Sequence, residues 1–101
     1  MEPENAVFYY NLGALYIRQG KTEEALEQFA KAIRIKPDFA KVYNHVGIVL
    51  ARQGKFEKAS KFFLKAIQID PDFEAARRNL KFYEVSYQRP EGSGVSSEQN
   101  D

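Results

Sequence analysis

Shifted by 34 residues, the sequence lands on itself. Ala6 meets Ala40, Tyr9 meets Tyr43 and Gly13 meets Gly47. Arg18-Gln19-Gly20-Lys21 meets Arg52-Gln53-Gly54-Lys55. Further on, Ala25 meets Ala59, Phe29 meets Phe63 and Ala32-Ile33 meets Ala66-Ile67, and the block closes with Pro37-Asp38-Phe39 on Pro71-Asp72-Phe73. Seventeen of the 34 positions are identical, where unrelated segments of this composition would share roughly two. A fixed period of this length means a stack of similar units, each too small to bury its own apolar face.

Within one unit the pattern is that of two helices. Phe8, Leu12, Leu15 and Tyr16 recur at helical spacing, which predicts a first helix over about Asn5 to Gln19. Gly20 ends it, because glycine enters the left-handed region at little cost. Thr22 is the expected N-cap of the second helix, with Glu23 and Glu24 at its positive dipole end. That helix ends before Pro37, and Asp38 is expected to cap a third helix over about Phe39 to Gln53. A fourth is predicted over about Phe56 to Ile69, and Asp72 is expected to cap a fifth. Gly13, Gly47, Ala25, Ala32, Ala59 and Ala66 are small, so paired helices can approach closely while Phe29 and Phe63 fill the space between them.

The third copy starts at Phe73 and then diverges. Leu80 stands where Leu12 and Val46 stand, but Lys81 replaces the repeat glycine. Ala76, Leu80, Tyr83 and Tyr87 form an apolar stripe, with Arg77, Lys81 and Glu84 on the polar side. Residues 74–88 therefore read as a capping helix, which a stack of repeats needs at its end. Residues 89–101, rich in Gly, Ser, Glu, Gln and Asn, read as a disordered tail. Pro3 lies one period before Pro37, so residues 1–5 read as the last turn of an earlier repeat in a longer array. Phe8 and Leu15 occupy the places of Val42 and Val49, which should pack on the preceding repeat. The first helix is accordingly expected to self-associate through Phe8 and Leu15.

Each copy reads Tyr-x-x-Leu/Val-Gly, then Gly-Lys-x-Glu, then Ala-x-x-x-Phe-x-x-Ala, then Pro. This resembles the tetratricopeptide repeat: Tyr9, Leu12, Gly13, Tyr16, Gly20, Ala25, Phe29, Ala32 and Pro37 in residues 6–39, and Tyr43, Val46, Gly47, Leu50, Gly54, Ala59, Phe63, Ala66 and Pro71 in residues 40–73. Leu50 departs from the Tyr usual at its place. The resemblance implies an all-α, right-handed solenoid of antiparallel helix hairpins with five helices. It also implies a concave groove for a peptide, lined by the second, fifth, sixth, ninth and thirteenth places of each repeat. Those are Val7, Tyr10, Asn11, Ala14 and Arg18; then Lys41, Asn44, His45, Ile48 and Arg52; then Ala75, Arg78, Asn79, Phe82 and Ser86. The set carries four basic residues, three asparagines, two aromatics and no acid. Asparagine both donates and accepts, which suits peptide backbone, and Arg and Lys suit carboxylates. The expected partner is thus a protein or peptide with an acidic or C-terminal segment. Of two precedents in the family, the asparagine ladder of the O-GlcNAc transferase type is matched at Asn11 and Asn79 but not at His45. The carboxylate clamp of the chaperone-tail type is matched in one alignment at Asn11 and Lys41, again not at His45.

Other functions find little support. With 15 basic and 14 acidic residues the net charge is +1, so no field-driven attraction to nucleic acid or membrane is implied. No apolar run approaches the ~18 residues of a membrane span. There is no cysteine and one histidine, His45, which excludes thiolate chemistry and leaves the compartment undecided. No phosphate loop, metal-spaced cluster or nucleophile–base pair appears, and Glu23, Glu24 and Glu27 read as a solvated face. No enzyme activity and no cofactor is expected. A second reading makes the segment the scaffold or oligomerisation part of a larger protein, because its turns and Ile-Asp-Pro-Asp-Phe joint also resemble the repeat tails of bacterial membrane glycosyltransferases.

Overall fold

The five expected helices form, and the turns between them decide where each one stops. The computed structural model describes residues 5–88. Helix α1 is Ala6–Arg18, α2 Thr22–Ile35, α3 Ala40–Arg52, α4 Phe56–Ile69 and α5 Glu74–Gln88. No strand occurs among the described residues. The expected repeat remnant, apart from Asn5, and the expected tail lie outside the described residues, as do the side chains of Ser86 and Tyr87.

Both hairpin turns close the same way. Gly20 and Gly54 have φ of 76° and 81°, a region that side chains with a Cβ disfavour. The N–H of Gly20 bonds the Ile17 carbonyl at 3.0 Å, and that of Lys21 the Tyr16 carbonyl at 2.8 Å. Gly54 and Lys55 repeat these bonds to Ala51 and Leu50 at 2.9 Å each. This is the Schellman closure, which satisfies the last carbonyls of α1 and α3.

The helix starts differ from expectation. Asn5 caps α1, its Oδ1 accepting from the Val7 N–H at 2.9 Å. Thr22 does not cap α2; it already lies inside the helix, and the cap position is Lys21, with no side-chain bond. The reason is the tightness of the turn: Lys21 closes α1 with its N–H, and its carbonyl accepts from Ala25 at 3.0 Å to open α2. Asp38 does not cap α3 either. The cap position is Phe39, and the Asp38 carboxylate accepts instead from Lys36 Nζ at 3.2 Å. Before α5, the carboxylate bonded to backbone is that of Asp70, not Asp72; it accepts from the Asp72 N–H at 3.1 Å.

Packing follows the small residues. A Cβ built on Gly13 would lie 2.5 Å from Phe29, and one on Gly47 2.5 Å from Phe63. Each ring thus lies directly against a glycine of the facing helix. Ala25, Phe29, Ala32, Ala59, Phe63 and Ala66 all have zero exposure. A phenylalanine so buried stabilises by roughly 1.5–3 kcal/mol relative to an exposed one. Helix α1 packs along α2 and α3 along α4; α5 lies along α4, and α2 meets α3 over a much shorter stretch. Tyr83 of α5 stacks on Phe63 and Phe56 of α4, with centroids 5.9 and 6.3 Å away. At the start of the stack, Phe8 and Leu15 are 46% and 45% exposed, whereas Val42 and Val49 are 0% and 3% exposed.

Candidate interaction surface

The first helices of successive units meet through side-chain contacts. Between α1 and α3, the Tyr10 ring stands edge-on to the His45 ring, centroids 5.2 Å apart at 87°. Between α3 and α5, Asn79 Nδ2 donates to Asn44 Oδ1 at 3.0 Å.

The predicted residues divide by exposure. Asn11, Arg18, Lys41, Arg52, Arg78 and Phe82 are exposed, Phe82 at 63%. Tyr10, His45, Ile48 and Asn79 are half-buried. Asn44 is 5% exposed, and its carbonyl oxygen accepts from Asn79. Of the three asparagines in the predicted set, Asn11 is the one that is exposed. The Asn44 and Asn79 amides bind each other, which satisfies a polar group that would be costly to bury alone.

Tyr10 and His45 belong to the joint between the repeats. The Tyr10 ring also lies 5.3 Å from Phe39 and 6.3 Å from Phe29, and His45 lies 5.7 Å from Phe29. Burial pushes the Tyr10 phenol above its ordinary value and keeps it uncharged. His45 Nδ1 donates to the Lys41 carbonyl at 3.2 Å. Burial lowers the His45 pKa below its ordinary value; the Lys41 bond acts in the opposite direction, and the Arg52 charge adds to the lowering. His45 is thus a neutral ring packed between aromatic neighbours.

The exposed charges of the predicted set are positive but not unmixed. Arg18, Lys41 and Arg52 are exposed on α1 and α3. On α5, Arg78 Nη1 lies 3.6 Å from Glu74 Oε1, one turn earlier on the same helix. That carboxylate, outside the predicted set, partly offsets the Arg78 charge. Among the described residues no three His, Cys, Asp or Glu side chains gather where a metal could bind. One surface depression, lined by Gly54, Lys55, Phe56, Glu57 and Lys58, opens at the α3–α4 turn and includes none of the predicted groove residues.

Sequence reasoning missed the polar pins at the two repeat joints. Tyr43 Oη donates to the Pro37 carbonyl at 2.9 Å, and Arg77 Nε donates to the Pro71 carbonyl at 2.7 Å. Residues 43 and 77 hold the same place in successive units, so a donor recurring there, despite the change of residue type, was the available signal. It also missed Lys31 over the Tyr9 ring at 5.5 Å and its repeat, Lys65 over Tyr43 at 6.0 Å.

Helix hairpins stacked at a fixed sequence period define a helical-repeat protein. A family model described as TPR repeat matches residues 14–54, and one described as Tetratricopeptide repeat matches residues 40–73. The chain belongs to the tetratricopeptide-repeat family. Comparison with curated proteins gives no match. Repeats of this family generally mediate protein–protein interaction and typically serve as non-enzymatic scaffolds. Among the described residues, no helix is long and apolar enough to cross a membrane.

Proposed function

We propose that the side formed by α1, α3 and α5 binds a peptide segment bearing carboxylates, on acidic side chains or at a free C-terminus, and that the segment carries out no chemistry of its own. The observation that carries this reading is the exposure of three cations, Arg18, Lys41 and Arg52, on two helices whose Tyr10 and His45 rings touch. Guanidinium and ammonium groups bind carboxylates through short charge-assisted hydrogen bonds. Asn11 adds an exposed amide for peptide backbone, while Ile48 and Phe82 supply apolar contact.

The test is a peptide array read with the whole chain and with a Lys41→Glu/Arg52→Glu variant, both checked for helix content by circular dichroism. Acidic peptides are expected to bind the parent and to lose at least tenfold in affinity with the variant. Equal binding by both removes this surface from the function. The scaffold reading, in which the segment positions or assembles a larger protein, is favoured by the exposure of Phe8 and Leu15 on the outer side of α1.

A further inference from the structure

The two hairpins repeat their inside and invert their outside. On the second helix of each unit the buried alanines and phenylalanine are the same: Ala25, Phe29 and Ala32 in α2, and Ala59, Phe63 and Ala66 in α4. The charged places between them change sign. Glu24 and Glu27 of α2 stand where Lys58 and Lys61 stand in α4, and all four are exposed. Exposed Glu23 precedes the first pair and exposed Lys65 follows the second. The first two turns of α2 thus present acid, before Lys31 and Arg34 reverse it, whereas α4 carries one acid, Glu57. The inversion extends to size: Leu64, 47% exposed, stands where α2 has exposed Ala30.

The stability of a single chain does not account for this pattern. A cation near the start of a helix opposes the helix dipole, yet Lys58 is the third residue of α4. Like charges three or four residues apart repel, and Glu24 with Glu27, Lys58 with Lys61, and Lys61 with Lys65 are so spaced. Among the described residues no ion pair neutralises Glu24, Glu27, Lys58 or Lys61. The chain therefore carries two exposed patches of equal spacing and opposite charge that do not meet within one molecule.

We propose that the exposed face of α4 in one copy docks on the first two turns of α2 in a second copy, with Lys58 and Lys61 against Glu24 and Glu27. Leu64 adds an apolar contact beside the charges. Because the contact joins two different patches, it either closes as a mutual pair or propagates as a chain of copies. It uses neither Lys41 nor Arg52, so it is separate from the peptide-binding reading. Exposed ion pairs contribute little individually and are screened by salt, so the association is weak and salt-dependent.

The experiment is sedimentation equilibrium of the full chain at high concentration and low salt. Three variants accompany the parent: Glu24→Lys/Glu27→Lys, Lys58→Glu/Lys61→Glu, and a chain with all four changes, which keeps the parent's net charge. Circular dichroism checks that each keeps its helix content, as exposed positions allow. The parent is expected to associate, and each double variant to do so about tenfold more weakly, because like charges then face each other. The fourfold variant is expected to associate as the parent does, and the two double variants, mixed, to form complexes with each other. A parent that stays monomeric under these conditions overturns the proposal, and so does association that neither reversal weakens or that the fourfold variant fails to recover. Capture of polyglutamate by a monomeric parent, lost with Lys58→Glu/Lys61→Glu, would assign the α4 face to another acidic partner and overturn the second-copy contact.

Discussion

Arg77 donates from Nε to the Pro71 carbonyl at 2.7 Å, doing at the second joint what the Tyr43 hydroxyl does at the first. A phenol and a guanidinium have little in common except reach and a donor. Proline interrupts the helix and leaves carbonyls without helical partners, so each joint needs a donor from the next helix. Tyr43→Phe is expected to lower stability by about 0.5–1.5 kcal/mol, near the low end because the bond is exposed. Arg77→Met is expected to fall in the same range. Urea unfolding followed by circular dichroism measures both, and no change in either would leave the joints without a role for these bonds.

The glycine–phenylalanine contacts give a steeper prediction. A Cβ at Gly47 would lie 2.5 Å from the Phe63 ring, which is fully buried and cannot swing outward. Gly47→Ala is expected to destabilise by about 1–3 kcal/mol despite the better helix propensity of alanine. Phe63→Leu, which removes the ring edge, is expected to relieve part of that loss when the two changes are combined. Additive effects in thermal unfolding would show that the contact is not the cause.

Asn79→Ala leaves the buried Asn44 oxygen without its donor, so a loss of about 1–3 kcal/mol is expected. Replacing both with alanine is expected to cost less than the two single changes together, since no polar group is then stranded. A double-mutant cycle in urea reads the coupling directly. It also separates stability from recognition: a binding defect in an Asn79 variant reports first on the α3–α5 contact.

Acid is expected to weaken the fold through His45. Burial lowers its folded-state pKa below the ordinary 6.5, so the unfolded chain takes up the proton first as pH falls. The stabilisation is fully present above about pH 6.5 and is lost as pH drops through that value toward the folded-state pKa. His45→Gln removes this part of the pH dependence. Urea midpoints of parent and variant at pH 8 and pH 5 test it: the difference between the two proteins is expected to change in the variant's favour at the lower pH.

Much of the fold was legible because the sequence states its hairpin twice. The matched glycines and phenylalanines gave the close contacts, and Gly20 and Gly54 gave the turns. The helix caps were not legible: Thr22 and Asp38 are good capping residues in isolation, but the turns reach the next helix in a way that leaves their side chains outside the cap. The candidate surface was legible as a set of places, not as contacts. Asn44 meets Asn79, and Tyr10 meets His45, each across 35 residues rather than 34. A search at the repeat period aligns equivalent residues and passes over these pairs, which join the fifth place of one unit to the sixth of the next.

The short stretch over which α2 meets α3 has a mechanical consequence. Each hairpin is sewn together along its length, and α5 is fastened to α4 by stacked rings, but the two hairpins lean on each other chiefly at the Tyr10–His45–Phe29 cluster. Nearest-neighbour coupling of this kind concentrates compliance at the weakest junction. Under tension the molecule is expected to bend and part there, with the C-terminal three helices behaving as one stiff arm and the first hairpin as the other.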